Sequence, residues 1–170
     1  MLASVRPVDG VVAERKRQAR ELLGDVRRLD ADIKDTKARI ILAVEASKTC
    51  LTDIYGVGPV VAALVIGHTG DVRRFASRHQ FASYNGSAPI EASSGPKKRH
   101  RLNPRGNRQL NHALHIAAIC QIRFDTPGRA YFLRKVEEGK TKKEAIRSLN
   151  RRLSDAVYRQ LLLDARRAEM

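Results

Sequence analysis

The residues best suited to chemistry lie in one basic stretch, which reads SSGPKKRHRLNPRGN from Ser93 to Asn107. It places two adjacent serine hydroxyls beside five lysines or arginines, with no acidic side chain among them. Its prolines and glycines prevent a continuous helix, so we expect a basic loop between helices. Such a loop could bind a polyanion, or attack one through a serine oxygen. The five cations are Lys97, Lys98, Arg99, Arg101 and Arg105.

The residues themselves do not identify a base that would activate a serine in this stretch. A serine attacks a phosphodiester only when its proton is removed, and Glu91 and His100 are candidates for that step by proximity alone. Without a clear base, Ser93 and Ser94 are more simply interpreted as turn residues. The pattern alone therefore predicts binding of a polyanion and leaves serine chemistry open.

The charge of the chain indicates what the polyanion is. Lys and Arg number 33 against 18 Asp and Glu, which gives a formal net charge of +15. Such an excess is typical of nucleic-acid-binding proteins. A basic membrane-surface protein is the competing class, but an aromatic content of 5% without Trp offers few interfacial anchors. With no apolar run of membrane length and no apolar signal core, we expect a cytoplasmic, nucleoid-associated protein with no membrane partner.

A long helix is predicted from residue 11 to residue 48, where no proline occurs. Apolar residues recur at steps of three and four and form one narrow stripe, while charges fill the other faces. We interpret this helix as a coiled-coil-like arm that pairs with another helix and makes the chain a homo-oligomer. An ordinary amphipathic helix packed on its own domain is the alternative. The stripe contains Leu22, Val26, Leu29, Ile33, Ile40 and Val44.

The segment after this arm has the form of a helix-hairpin-helix. A helix is predicted to end near residues 54–55, the tripeptide from Gly56 to Gly58 to make a tight turn, and Pro59 to begin a new helix. The backbone N–H groups of Gly56 and Gly58 would then bind a phosphate at a helix amino end. This contact would carry no sequence specificity. A tight turn without a ligand is the alternative.

The remainder of the chain is also predicted to be mainly α. A helix is expected to begin at residues 107–108, another to cover residues 129–138, and a last one to follow Thr141. Residues 87–92 are expected to pair with residues 100–102 as a short strand or hairpin. We therefore predict a long coiled-coil-like helix followed by a compact helical domain with a helix-hairpin-helix and a basic loop or short hairpin.

Two features of these helices leave alternatives open. His112 and His115 could be a metal pair, but no further ligand lies nearby in sequence, so a core or groove pair is the preferred interpretation. The last helix carries a second basic surface, for which the sequence does not decide between nucleic acid and solvent. That surface comprises Lys140, Lys142, Lys143, Arg147, Arg151, Arg152 and Arg159.

Several motifs in a fixed order resemble a known family. These motifs are GVGPVVAALVIGHTGDVRRF, FASYNGSAPIEASSG, NPRGNRQLNHALHIAA and the late run GRAYFLRKVEEGKTKKEAIRSLNRRLSDAVY. They resemble the carboxy-terminal domain of the DEDD-type insertion-sequence transposases, the "IS one-ten" group that includes the Piv-type DNA invertases. The similarity covers residues 51–162, and the long charged helix resembles the coiled-coil segment of that family.

The resemblance implies a DNA recombinase with two catalytic parts. One is a RuvC-like domain whose four acidic residues bind magnesium, and the other is a domain whose serine nucleophile lies in a Ser-Gly dipeptide after a Gly-x-x-Pro segment. In this chain the segment from Gly86 to Pro89 precedes Ser94, so the resemblance implies Ser94 as the nucleophile, with Ser93 as its neighbour. It also implies a phosphoserine intermediate, synapsis of two DNAs by an oligomer and, in many members, a structured guide RNA.

The sequence shows no RuvC-like domain before the arm, and we therefore expect a truncated transposase that is inactive alone. Its predicted parts are a lead-in (1–10), the arm (11–48), the serine domain (49–163) and a tail (164–170). No metal or cofactor is expected in this chain, because magnesium belongs to the missing domain. DNA and full-length transposase are the expected partners. The predicted nucleic-acid-binding residues are Gly56, Gly58, Lys97, Lys98, Arg99, Arg101, Arg105 and Arg108.

Two other functions remain open at this point. The chain could be a non-catalytic helix-hairpin-helix protein that binds nucleic acid, including a regulatory remnant that titrates full-length transposase. It could also be an assembly module whose coiled coil is the main interface. A steep fall of nucleic-acid affinity with salt would favour either nucleic-acid-binding function over the assembly module.

Overall fold

The computed structural model describes residues 9–91, 100–101, 103 and 105–169, with side chains for all of these except 91, 100 and 101. The described chain is mainly helical, as predicted. Its helices are α1 (Gly10–Ala46), α2 (Pro59–Thr69), α3 (Arg78–Tyr84), α4 (Arg108–Arg123), α5 (Pro127–Glu137) and α6 (Lys142–Arg167). Two short strands, β1 (Ile90–Glu91) and β2 (His100–Arg101), lie between α3 and α4. None of the described helices is both long and apolar enough to traverse a lipid bilayer.

The chain divides into two compact units, and the first comprises residues 1–42. Its described part is α1 as far as Leu42, a helix without proline whose exposed charges pair one turn apart, as where Arg17 bridges Glu14 and Glu21. The predicted apolar stripe is exposed in this unit: Leu22, Val26, Leu29 and Ile33 are 65%, 54%, 55% and 51% exposed. Pairing of this stripe with another helix remains a prediction.

The second unit begins at Ala43, so it includes the last turn of α1. That turn ends at Ala46, and Lys48 then adopts the left-handed conformation with φ of 53°. Asp164 in α6 holds the segment that follows, since it accepts hydrogen bonds from Thr49 Oγ1 at 2.6 Å and from the Cys50 backbone N–H at 3.3 Å. Asp164 is therefore part of the fold of this unit, although the sequence division places it in a tail.

The core of the second unit lies where α2 packs on α4, and where α3, α4 and α5 pack on α6. The periodic apolar positions of α4 and α6 supply most of it, because i, i+3 and i+4 residues share one helix face. Thr141 begins α6 with the predicted capping box, in which its side chain and that of Glu144 bond each other's backbone N–H groups. The buried residues of α4 and α6 include Leu110, Leu114, Ala117, Ala118, Leu149, Leu153, Val157 and Leu161.

The predicted helix-hairpin-helix differs from the structure at its first helix. The helix expected to end near residues 54–55 is a three-residue 3₁₀ turn, Leu51–Asp53. Between the end of α1 at Ala46 and the turn at Gly56, this 3₁₀ turn is the helical element of the described chain, and no α-helix forms there. The second helix is as predicted, since α2 begins with Pro59 in its first turn. This hairpin is therefore preceded by a single 3₁₀ turn.

Candidate nucleic-acid interface

The basic stretch falls partly outside the residues that the structure describes. Ser93, Ser94, Lys97, Lys98 and Arg99 lie outside them, and Arg101 is described only as backbone in β2. The geometry of the site is therefore that of the framework at the two ends of the stretch. This framework consists of the end of α3 with the turn after it, the hairpin of β1 and β2, and the start of α4.

The hairpin brings the two ends of the stretch together. β1 and β2 are antiparallel, with Ile90 opposite Arg101 and Glu91 opposite His100. The pairing occurs within the segments where the sequence predicts a short hairpin. Glu91 and His100, the two candidate bases, are thus direct backbone neighbours across the hairpin, and eight residues connect them. Their roles remain a prediction.

Two glycines, one before β1 and one after β2, bring the backbone segments that flank the hairpin into contact. A Cβ placed on Gly106 would lie 2.5 Å from both the Cα and the backbone nitrogen of Gly86. Gly86 also has a φ of 75°, a left-handed conformation that favours glycine. The turn predicted at Asn85 and Gly86 is present, with Asn85 as the C-cap of α3. The close approach therefore requires glycine at position 106, and the left-handed backbone favours glycine at position 86.

Three asparagines spaced four residues apart bind three consecutive backbone carbonyls at the end of α3. One bond comes from a backbone N–H and two come from side-chain amides, so the carbonyls of Ser83, Tyr84 and Asn85 each gain a donor from outside the helix. Sequence analysis missed this set, although the spacing in NPRGNRQLN was a visible signal. The bonds run from Asn103 Nδ2 to Ser83 O (3.1 Å), Asn107 N to Tyr84 O (2.6 Å) and Asn111 Nδ2 to Asn85 O (2.9 Å).

Asn85 connects this framework to the core. It is fully buried, and its Nδ2 donates a hydrogen bond to the buried Ser154 Oγ in α6 at 2.7 Å. Its Oδ1 accepts one from the Ser87 backbone N–H at 3.0 Å. A buried amide without partners would be costly, so these bonds fix the turn relative to α6. Neither Asn85 nor Ser154 was predicted to be buried.

A polar network also joins α2, α3 and α4 beside the framework. Tyr84 OH donates to the backbone oxygen of His68 at 2.9 Å and accepts from Asn107 Nδ2 at 3.2 Å. The guanidinium of Arg74 lies 4.5 Å from the centre of the Tyr84 ring and equally close to that of Phe75. The hydrogen bond from Asn107, together with Arg74, lowers the pKa of Tyr84 against the opposing effect of burial.

We predict that Asn107→Ala destabilises the second unit by about 1–2 kcal/mol, because it removes the N-cap of α4 and the donor to Tyr84. The N-cap bond runs from the Leu110 N–H to Asn107 Oδ1 at 2.9 Å. Asn107→Asp is the matched variant, since it keeps the cap and loses the Nδ2 donor. Urea unfolding monitored by circular dichroism should place it between wild type and the alanine variant. Equal stability of all three proteins would contradict the framework.

The described cations of the predicted set lie just before α4, at Arg105, and at its first residue, Arg108. Arg105 and Arg108 are exposed, and neither forms an ion pair with an acidic side chain among the described residues. Arg105 is oriented by the bond from its backbone N–H to Asn103 Oδ1 at 3.0 Å. Both guanidinium groups are therefore free to meet a phosphate beside the ends of the basic stretch.

The two hairpin glycines lie elsewhere and differ from each other. A Cβ on Gly56, where φ is 86°, would lie 2.6 Å from the carbonyl oxygen of Ala117. Packing against α4 therefore explains Gly56 without any ligand. Gly58 is exposed as the N-cap of α2, with open space around its Cα. Ala117 is nine residues beyond Arg108, about 14 Å along α4, so the hairpin and the start of α4 are separate surfaces.

The histidines of α4 do not form a metal site with their described neighbours. Among the residues with described side chains, no group of three or more His, Cys, Asp or Glu is placed to hold a metal ion. His112 is exposed and His115 half-buried, so the pair lies at the edge of α4 and not in the core.

Comparison with known proteins identifies a family. Residues 48–133, half of the chain, match the sequence profile described as the transposase IS116/IS110/IS902 family. This match begins after α1, spans the whole framework and ends within α5.

Three relatives come from insertion elements. The chain is 32% identical over 128 residues to the insertion element IS110 uncharacterized 43.6 kDa protein of Streptomyces coelicolor, covering 75% of this chain and 32% of the relative. It is 31% identical over 144 residues to the IS900 42 kDa protein of Mycobacterium paratuberculosis, covering 82% and 36%. It is 28% identical over 158 residues to the IS116 44.8 kDa protein of Streptomyces clavuligerus, covering 89% and 40%.

The chain thus spans between 32% and 40% of the length of these relatives, whereas most of the chain takes part in each alignment. The profile match alone covers half of the chain and includes every element of the framework. On this basis, the chain belongs to the transposase IS116/IS110/IS902 family.

Proposed function

We propose that this chain supplies the serine half of an insertion-sequence transposase and binds DNA with the basic stretch and the start of α4. Ser94 is the nucleophile in this proposal, and strand exchange proceeds through a phosphoserine intermediate. The proposal also includes membership in the DEDD-type group with the Piv-type invertases, which the order of the motifs supports. The observation that carries the proposal is the family match over residues 48–133, which contains Ser94 and the framework on both sides of it.

The framework supports this role by holding the ends of the serine segment. Glu91 and His100 are paired across the hairpin, and Ser94 follows Glu91 by three residues. The contact between Gly86 and Gly106 and the three asparagine bonds fix these ends on α3 and α4. A nucleophile whose segment is held at both ends loses less conformational entropy when it aligns with its target.

In the proposed step, Ser94 Oγ attacks a DNA phosphorus atom. The bond from Oγ to phosphorus forms, the bond from phosphorus to the leaving sugar oxygen breaks, and that oxygen takes up a proton. The serine proton passes to a base, for which Glu91 and His100 are the candidates. Charge on the phosphoryl oxygens is neutralised by Arg108 and by the five cations of the basic stretch, which include Arg105.

Magnesium and assembly partners belong to the same proposal. The resemblance implies magnesium held by four acidic residues, but the described residues offer no acidic cluster that fits such an ion. The proposal therefore assigns no step to a metal ion in this chain. The exposed stripe of α1 would pair with a second copy or with full-length transposase, and a structured RNA would guide target choice.

The proposal can be tested by trapping the covalent intermediate. The purified chain is mixed with a full-length family transposase whose own Ser-Gly serine is alanine, together with magnesium, element-end DNA and its RNA. After nuclease digestion, mass spectrometry should find a nucleotide linked to Ser94. DNA binding without any adduct would instead support the alternative, a non-catalytic nucleic-acid-binding or regulatory protein.

A further inference from the structure

A second cluster of cations surrounds Tyr131, outside the framework. Tyr131 lies on α5, and its hydroxyl is 3.2 Å from Ser148 Oγ on α6, which fixes the ring between the two helices. Three cations from both helices contact the ring, within the range of cation–π attraction. The distances to the ring centre are 4.4 Å for the Arg152 guanidinium carbon, 5.3 Å for that of Arg134 and 5.5 Å for Lys135 Nζ.

The cluster carries excess positive charge. Residues 134–152 contain eight Lys or Arg against three Glu. Glu138 is the acidic neighbour within the cluster, and it pairs with both Arg134 and Lys135. Arg152 forms no ion pair with any described acidic side chain. One carboxylate therefore pairs with two of the three cations around the ring, and the third, Arg152, has no acidic partner among the described side chains.

Helix electrostatics explain only part of this arrangement. Arg134 and Lys135 lie in the last turn of α5, where the helix dipole favours positive charge. Arg152 lies in the middle of α6, where no such benefit exists. Its attraction to the half-buried Tyr131 ring is worth about 1 kcal/mol, and two neighbouring cations oppose it. A bound anion would relieve this repulsion.

The cations extend along α6 beyond the ring. Arg159 is exposed and lies seven residues after Arg152, so it is on the same face, about 10 Å further along the helix. A single phosphate group cannot reach both side chains. A linear polyanion with closely spaced phosphates can, and duplex DNA is such a partner.

We propose that this surface, the Tyr131 patch (Tyr131, Arg134, Lys135, Arg152 and Arg159), binds the phosphate backbone of duplex DNA as a second contact. The inference goes beyond the proposed function because it requires binding and no serine chemistry. The ring holds the guanidinium groups in place without neutralising them. Arg134 and Lys135 share Glu138, whereas Arg152 and Arg159 form no ion pair with a described acidic side chain, so the patch keeps a surplus of positive charge for phosphates.

The test is the salt dependence of duplex DNA binding, measured by fluorescence anisotropy with the full chain. Arg134→Gln combined with Arg152→Gln should reduce the slope of log affinity against log salt by about 1.8, because each lost phosphate contact removes about 0.9. Affinity for DNA at 0.1 M salt should fall by roughly tens of fold, which corresponds to the loss of the same two phosphate contacts. Arg27→Gln combined with Arg166→Gln removes the same charge from exposed sites outside the patch and should leave the slope nearly unchanged.

Further variants distinguish the effect of the Tyr131 patch on DNA binding from the effects of net charge and of the serine site. Tyr131→Phe should bind DNA like wild type, and Tyr131→Leu should lose part of the slope with all charges kept. An equal loss in the patch and control double variants would overturn the proposal, as would a loss seen only with an RNA duplex of the same length.

Ser94→Ala should retain the full slope of log affinity against log salt, so failure of the serine mechanism would not affect this result. Thermal unfolding by circular dichroism checks that each variant is folded.

Discussion

Replacing Ser94 with alanine is expected to abolish the covalent protein–DNA adduct and to change DNA affinity by less than about twofold. The hydroxyl is the only group lost, and in the proposed step it forms the bond to phosphorus. The cations that hold the backbone are retained, so binding should survive. The measurement is adduct yield on denaturing gels in the complementation mixture, with affinity measured in parallel by anisotropy.

Ser93→Ala is the matched control for this experiment, since it removes the same atom one residue earlier. Adduct yield should remain within a few-fold of wild type, because the family resemblance assigns the nucleophile to the serine that precedes Gly95. An adduct that persists in Ser94→Ala and disappears in Ser93→Ala would transfer the role to Ser93. Persistence in both variants would contradict a serine nucleophile in this segment.

Gly106→Ala is expected to lower the free energy of unfolding by about 3 kcal/mol, at the upper end of what overpacking usually costs. Its Cβ would lie 2.5 Å from two backbone atoms of Gly86. Backbone atoms cannot move aside by a change of rotamer, so the backbone segments at Gly86 and Gly106 must separate. Separation would also strain the bond from the Asn107 N–H to the Tyr84 carbonyl. The measurement is urea unfolding followed by circular dichroism, with DNA affinity measured on the same samples.

Gly67→Ala provides the opposite control. Gly67 lies inside α2, is exposed, and has no atom within 4 Å of an added Cβ. Alanine there should stabilise the protein by up to about 1 kcal/mol, because glycine is a poor helix former. If Gly106→Ala were as stable as wild type, the close contact between the two glycines would not exist in solution.

Local sequence signals predicted much of the fold. The apolar period of α4 and α6, the capping box at Thr141 and the turn at Asn85 are each encoded within a few residues, and all are present. The start of α4 was also predicted correctly, because Asn107 is a strong N-cap residue. Such features depend on residues that are close in sequence, and a sequence pattern describes relations of this kind.

The framework of the candidate site could not be predicted in the same way. The bond between Asn85 and Ser154 joins residues 69 apart, and the bond between Thr49 and Asp164 joins residues 115 apart. The 3₁₀ turn at Leu51–Asp53, where the sequence predicted the end of an α-helix, begins two residues after Thr49. The role of Ser94 came only from the family resemblance, since spacing alone favoured a turn residue.

The hairpin of β1 and β2 has a consequence for how this family can vary. Its two ends are held by groups outside the eight residues that connect them, so the cost of closing that segment depends weakly on its length. Doubling the segment would cost only about 0.6 kcal/mol. The helical scaffold can therefore accept a longer, shorter or differently charged segment between Glu91 and His100 with little loss of stability. Variation in the length or charge of this segment, with Ser94 kept, is therefore expected to leave the scaffold beneath it unchanged.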